Sequence, residues 1–201
     1  MCANMLEMIL PLTVFGLASA ATPGPNNVML TASGSAFGFS RSIPHMVGIT
    51  IGFPVMVFAL GLGLGEIFIH YSQVHLALKY IGAAYLLYLV WRIAQAGQLN
   101  DGDANGRPLS FTEAAAFQWV NPKAWMMAVS SIPAFTTVGG NYYAELTVIT
   151  LIWGVICIPA CVAWCLFGMG IRQVIRTPET ARMVNFGLAG LVALSIVLLF
   201  L

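Results

Sequence analysis

Thr22-Pro23-Gly24-Pro25-Asn26-Asn27 interrupts an apolar stretch that is otherwise long enough to cross a bilayer. A proline inside a helix removes one backbone hydrogen bond and clashes with the preceding turn, at a cost of about 3 kcal/mol. Gly24 between the two prolines adds backbone freedom. Asn121-Pro122-Lys123 interrupts a second apolar stretch near the middle of the chain. In lipid, the freed backbone groups and the lysine need partners from neighbouring helices or from water in a cavity. Breaks at corresponding places in two halves of a membrane protein point to a solute-binding site near the midplane.

Composition supports a membrane setting. Of 201 residues 59% are hydrophobic and 7% charged, with mean hydropathy +0.87. Soluble domains carry about 25% charged residues, so a water-facing surface cannot be built from this inventory. No charge lies between Met8 and Ser40, Ser42 and Gly65, Leu146 and Ile171, or Met183 and Leu201. Each stretch reaches the roughly 20 residues needed to cross a hydrocarbon core. Six spans are expected, near 6–32, 42–65, 76–93, 111–135, 145–169 and 184–201. The first is too long for one straight crossing, as a helix broken at Pro23–Pro25 would be. Net charge is +1 and no basic run is present, which leaves no basis for nucleic-acid binding. Ala18-Ser19-Ala20 imitates a signal-peptidase site, but the leader carries Glu7 and no Lys or Arg, so cleavage is not expected.

Basic residues set the orientation. With the N-terminus outside, inner loops hold Arg41, Arg92, Arg107, Arg172, Arg176 and Arg182, against Lys79 alone on the outer side. Both termini are therefore expected outside, and the polar segment 97–108 becomes a cytoplasmic linker. Tyr71, Tyr80, Trp91, Tyr142 and Tyr143 fall near span ends, where interfacial aromatics belong. Cys157, Cys161 and Cys165 recur every four residues on one stripe of span five. They read as small packing residues, and no His or Met cluster at matching spacing argues for a metal. Glu66, His70 and His75 make at most an adventitious metal site in an outer loop.

The two halves, 1–96 and 109–201, carry an internal repeat within a single transmembrane domain, 1–201. Spans one and four align on their prolines, so that Pro25 meets Pro122, Met29 meets Met126 and Ser33 meets Ser130. Spans three and six align through Tyr80-Ile81-Gly82-Ala83-Ala84 and Asn185-Phe186-Gly187-Leu188-Ala189. A three-span unit repeated once enters the membrane in opposite orientations. The expected fold is thus an all-α membrane protein: six transmembrane helices as two inverted three-helix repeats, with helices 1 and 4 broken.

The site residues follow from the breaks. Pro23, Gly24 and Pro25 free backbone groups, and Asn26 and Asn27 stand where a new half-helix begins, as N-caps would. Its unpaired N–H groups and positive dipole end suit a substrate carboxylate. Lys123 lies about 12 residues, or about 18 Å, inside its span, close to the midplane. An unpaired lysine there costs about 2.5–3.5 kcal/mol; a carboxylate, half-helix carbonyls or water would offset that. Asn121 and Pro122 belong to the same break, and Gln118, Trp119 and Trp125 flank it. Gly48 and Gly52 have the spacing that lets helices approach closely, and Pro54 and Pro159 are candidate kinks. His45 reads as an interfacial histidine, and no carboxylate sits at mid-membrane to act as a proton relay. No ATP-binding loop, catalytic triad or HExxH is present, so the chain is not read as an enzyme, and no cofactor or resident metal is expected.

With Thr22–Asn27, Gly38-Phe39-Ser40-Arg41, Gly82-Ala83-Ala84-Tyr85-Leu86 and Asn121-Pro122-Lys123 in this order, the sequence resembles the lysine exporter and homoserine/threonine exporter family of bacterial inner-membrane proteins. The doubled asparagine is similar to the branch that includes cysteine and O-acetylserine exporters. The resemblance implies secondary-active efflux of amino acids or close derivatives, with protons as the coupling ion, and Gly-rich faces leave room for a homodimer. A membrane thiol-redox carrier shares a similar three-span repeat. It would need a cysteine in each broken helix, where this chain has Pro, Gly, Asn and Lys.

Overall fold

A computed structural model describes residues 2–64, 72–95, 107–137, 139–174 and 177–200. Those residues form seven α-helices and no strand: α1 (Cys2–Ala21), α2 (Pro25–Ala59), α3 (Ser72–Gln95), α4 (Phe111–Phe117), α5 (Pro122–Phe135), α6 (Tyr142–Val174) and α7 (Pro178–Phe200). Helices are the expected outcome for segments this apolar, because each peptide group finds its partner within its own segment. Helices Pro25–Gly63 and Tyr142–Gln173 are long and apolar enough to cross a membrane, and Glu7–Ala21 and Arg182–Leu194 are shorter apolar helices. The α2 face carrying Ile43, Val47, Ile51 and Val55 is exposed at four-residue spacing, an apolar stripe suited to lipid rather than water.

Both expected interruptions are real departures from helix, and they are built alike. Helix α1 stops at Ala21, before the residue preceding Pro23, where α geometry is disfavoured. Gly24 is extended (φ −169°, ψ 173°), Pro25 opens α2, and the first helical bond runs from Val28 N–H to the Gly24 carbonyl at 3.0 Å. At the second break, α4 tightens into a 3₁₀ turn (Gln118–Val120). Asn121 is then extended (φ −85°, ψ 110°), Pro122 opens α5, and Trp125 N–H bonds the Asn121 carbonyl at 3.2 Å. Proline belongs at the first helical position, where its missing N–H would be unpaired anyway.

Several expectations need correction. The loop between spans one and two is absent; its place is taken by one residue, Gly38, at φ 75°, ψ −178° inside α2. That conformation is open essentially only to glycine, so one missing Cβ makes the elbow. His45 is completely buried within the protein, with Nδ1 3.0 Å from Ser33 Oγ across the elbow. The repeat alignment places Pro25 and Pro122 equivalently, but Met29 is 4% exposed and Met126 64%, so those partners do not share surroundings. Residues 97–106 of the linker, with Glu66, His70 and Tyr71, lie outside the described residues.

The tightest crossing joins α2 to α6. A Cβ at Gly34 would land on the Cys165 carbonyl, and one at Gly168 on the Thr31 carbonyl. Gly48 and Gly52 likewise let α2 approach Phe111, Ala114 and Ala115 of α4, the close approach expected from their spacing. Two buried apolar clusters result. One gathers Val28, Leu30, Leu86, Phe117 and Val192, the other Leu12, Phe53, Met56, Ala128 and Trp153. Gly168→Ala is expected to destabilise the detergent-solubilised protein by about 1–3 kcal/mol through overpacking. Gly170→Ala, where an added Cβ meets nothing within 4 Å, should leave the thermal unfolding midpoint unchanged or slightly raised.

Candidate functional site

The two breaks, about 100 positions apart in sequence, meet in space. Asn26 Nδ2 donates to Gln118 Oε1 at 2.8 Å, and Gln118 Nε2 donates back to Asn26 Oδ1 at 3.3 Å. Gln118 is fully buried and also donates to the Ala114 carbonyl at 2.8 Å, so its amide is committed on both sides. Lys123 Nζ donates to the Thr22 carbonyl just past the end of α1. Gly24 makes room for this contact, since a Cβ there would meet the lysine side chain 2.6 Å away at Cδ.

The asparagines do not play the N-cap role expected of them. Gly24 caps α2, and no side chain caps that end. Asn27 instead reaches backwards, with Nδ2 donating to the carbonyls of Ala20 at 2.9 Å and Thr22 at 2.7 Å. Trp164 Nε1 adds a bond to the Ala20 carbonyl at 3.1 Å. The last carbonyls of α1, which have no helical partner, are thus served by Asn27, Trp164 and the Lys123 ammonium. A cation there also complements the negative end of the helix dipole. Asn121 is a true cap: Oδ1 accepts from Lys123 N–H at 3.1 Å.

A cavity of about 40 Å³ opens at this junction. Gly24, Asn26, Asn27, Asn121 and Lys123 line it, whereas Pro23, Pro25, Gln118 and Pro122 stand behind and shape the breaks. Two helix N-termini, those of α2 and α5, and one ammonium converge here, groups that suit an anion, beside the carbonyl end of α1 that the ammonium already faces. Trp119 and Trp125 do not line the cavity; Trp125 Nε1 bonds the Trp119 carbonyl at 2.8 Å, and both rings pack on the second apolar cluster. Ala20, Ile49, Phe53, Met127, Trp153, Cys157, Ala160 and Cys161 complete the lining. The sequence reading placed the cysteines in packing, and their positions on one helix face with Ala160 were the only signal of a shared wall.

Away from the cavity, side chains hold two helix starts. Ser110 and Glu113 form a reciprocal capping box at the start of α4 (Ser110 N–H to Glu113 Oε2 2.7 Å, Glu113 N–H to Ser110 Oγ 3.3 Å), and Arg107 pairs with Glu113. The Ser-x-x-Glu pattern was legible and went unread. Glu145, buried at the start of α6, accepts from Thr137 N–H at 2.8 Å and Thr137 Oγ1 at 2.7 Å. Among the described residues no group of three or more metal-ligating side chains occurs. For the amide pair, a double-mutant cycle of Asn26→Ala and Gln118→Ala should give a coupling of about 0.5–1.5 kcal/mol; strict additivity would show that the bonds carry no stability.

The chain matches the family described as LysE type translocator over residues 17–201. Cysteine/O-acetylserine efflux proteins of Escherichia coli (strain K12) and of Shigella flexneri are each 30% identical over 187 residues, 92% of this chain and 94% of the relative. No solved structure matches the chain. With the family pattern running from before the first break to the last residue, this chain belongs to the LysE type translocator family.

Proposed function

We propose that the chain is a secondary-active exporter of amino acids or close derivatives, working across the bacterial inner membrane by alternating access and driven by the proton gradient. The two three-helix halves are inverted repeats, both termini lie outside, and the broken ends meet near the midplane. The observation that carries this reading is the convergence of Lys123 and two helix N-termini on one cavity between the breaks. The efflux activity of the cysteine/O-acetylserine relatives supports it.

The cycle follows from the contacts. A substrate carboxylate binds the Lys123 ammonium and the start of α2, where no side chain caps the helix, with Asn26 and Asn121 offering hydrogen bonds and Asn27 doing so once it releases a carbonyl of the first break. To do so the carboxylate competes with the Thr22 carbonyl for Lys123. Drawing the lysine off α1 leaves carbonyls of that helix end short of a donor, and α1 becomes free to move against α5. At about 40 Å³ the cavity has room for two or three waters rather than an amino acid, so admission requires the halves to part. The thiol-redox reading lacks support, because neither break carries a cysteine and Cys157, Cys161 and Cys165 all lie on α6.

Lys123→Ala should remove a charge-assisted bond to the carboxylate, weakening substrate binding by about 1.5–3 kcal/mol, and abolish export while the protein still inserts. Unchanged export from cells expressing that variant would refute the role of the lysine. Replacing both Pro23 and Pro25 by Ala should favour a continuous helix from α1 into α2 and slow transport; wild-type rates would count against the break.

A further inference from the structure

We propose that Cys157, Ala160 and Cys161 of α6, with Phe53 of α2 and Trp153 of α6, form the side-chain end of the transport site and restrict it to amino acids with small uncharged side chains. This rests on the export reading above and adds what that reading leaves open, the class of side chain.

The cavity has two chemically different parts. Its polar part is the junction of the breaks, with the ammonium of Lys123 and the amides of Asn26, Asn27 and Asn121. The remainder is uncharged: Ala20 of α1, Ile49 of α2 and Met127 of α5 join Phe53, Trp153, Cys157, Ala160 and Cys161. Trp153, Cys157, Ala160 and Cys161 lie at helical spacing on one face of α6. The Trp153 Nε1–H is already committed to Ser131 Oγ at 3.2 Å, so its ring offers the cavity carbon alone. Phe53 stacks edge-on against it, centroids 5.0 Å apart, and holds the ring in place. Cys157 and Cys161 are buried free thiols, which present soft, nearly apolar surface.

Such a wall cannot receive a charge. No carboxylate lines the cavity, so the ammonium or guanidinium of a basic side chain would be buried unpaired and close to Lys123. A second carboxylate would find only the one cation, already used by the first. Burying an unpaired charge is strongly unfavourable. Size at this end is set by the α6 residues, because Cys157, Ala160 and Cys161 are its smallest side chains, while the other small lining residues, Ala20 and Gly24, belong to the first break. In apolar pockets one methylene discriminates by about 10–200-fold.

Counterflow in proteoliposomes tests this, with radiolabelled alanine, serine, cysteine, leucine, lysine, arginine and glutamate supplied separately. The three small neutral amino acids should exchange, leucine poorly, and the charged ones not at all. Ala160→Leu should lower cysteine exchange about ten-fold or more, whereas Cys161→Ala should raise leucine exchange relative to alanine by about ten-fold. Cys161→Ala only removes an atom and therefore keeps the test intact if Ala160→Leu does not fold. Lysine or arginine exchanging as fast as alanine would overturn the proposal and leave amino-acid export standing. A size ranking unchanged in Cys161→Ala would do the same. No exchange of any amino acid by the wild-type protein would sink the export reading, and this one with it.

Discussion

Much of the structure depends on one arrangement: polar groups released by two helix breaks satisfy each other across the protein. Neither break could stand alone in an apolar setting, because each leaves helix-terminal donors or acceptors without partners. The Asn26–Gln118 amide pair and the bond from Lys123 to the Thr22 carbonyl join the breaks directly. Asn27 and Trp164 serve the end of α1. A buried polar network of this kind is worthwhile only when its members are satisfied, which couples the position of α1 to that of α5.

Around this junction the apolar packing divides. Ile49 and Cys161 fall at the edge of one buried cluster, Phe53, Trp153 and Cys157 at the edge of the other, and all five line the cavity. The polar seam therefore runs between two cores rather than through one. Each core can keep its own side-chain packing while the seam changes, and dense interiors favour such discrete rearrangements over continuous deformation. The α2–α6 crossing at Gly34 and Gly168 has the opposite character. Backbones in contact without intervening side chains have little room to slide.

The elbow at Gly38 adds a second kind of constraint. It folds the two arms of α2 back with a single residue, and the Ser33–His45 contact ties those arms together. The half of α2 that begins at the break is thereby held in register with the half that carries Phe53 into the cavity. A lining position in the first arm and one in the second are linked through one glycine.

What the amino-acid sequence determined by itself is local: helical segments, because charge-poor runs in lipid have few other ways to satisfy their backbone, and breaks at Pro23–Pro25 and Asn121–Pro122, because proline disfavours α geometry at the residue before it and Gly24 and Asn121 readily take an extended backbone there. Lys123 was legible as a group needing a partner for the same reason. Tertiary structure alone decided which partner. The Thr22 carbonyl, the pairing of Asn26 with Gln118, the backward reach of Asn27 and the α6 wall of the cavity all join residues that no sequence period relates. Periodicity reports which face of a helix a residue occupies, whereas the neighbour on that face is set by how whole helices pack.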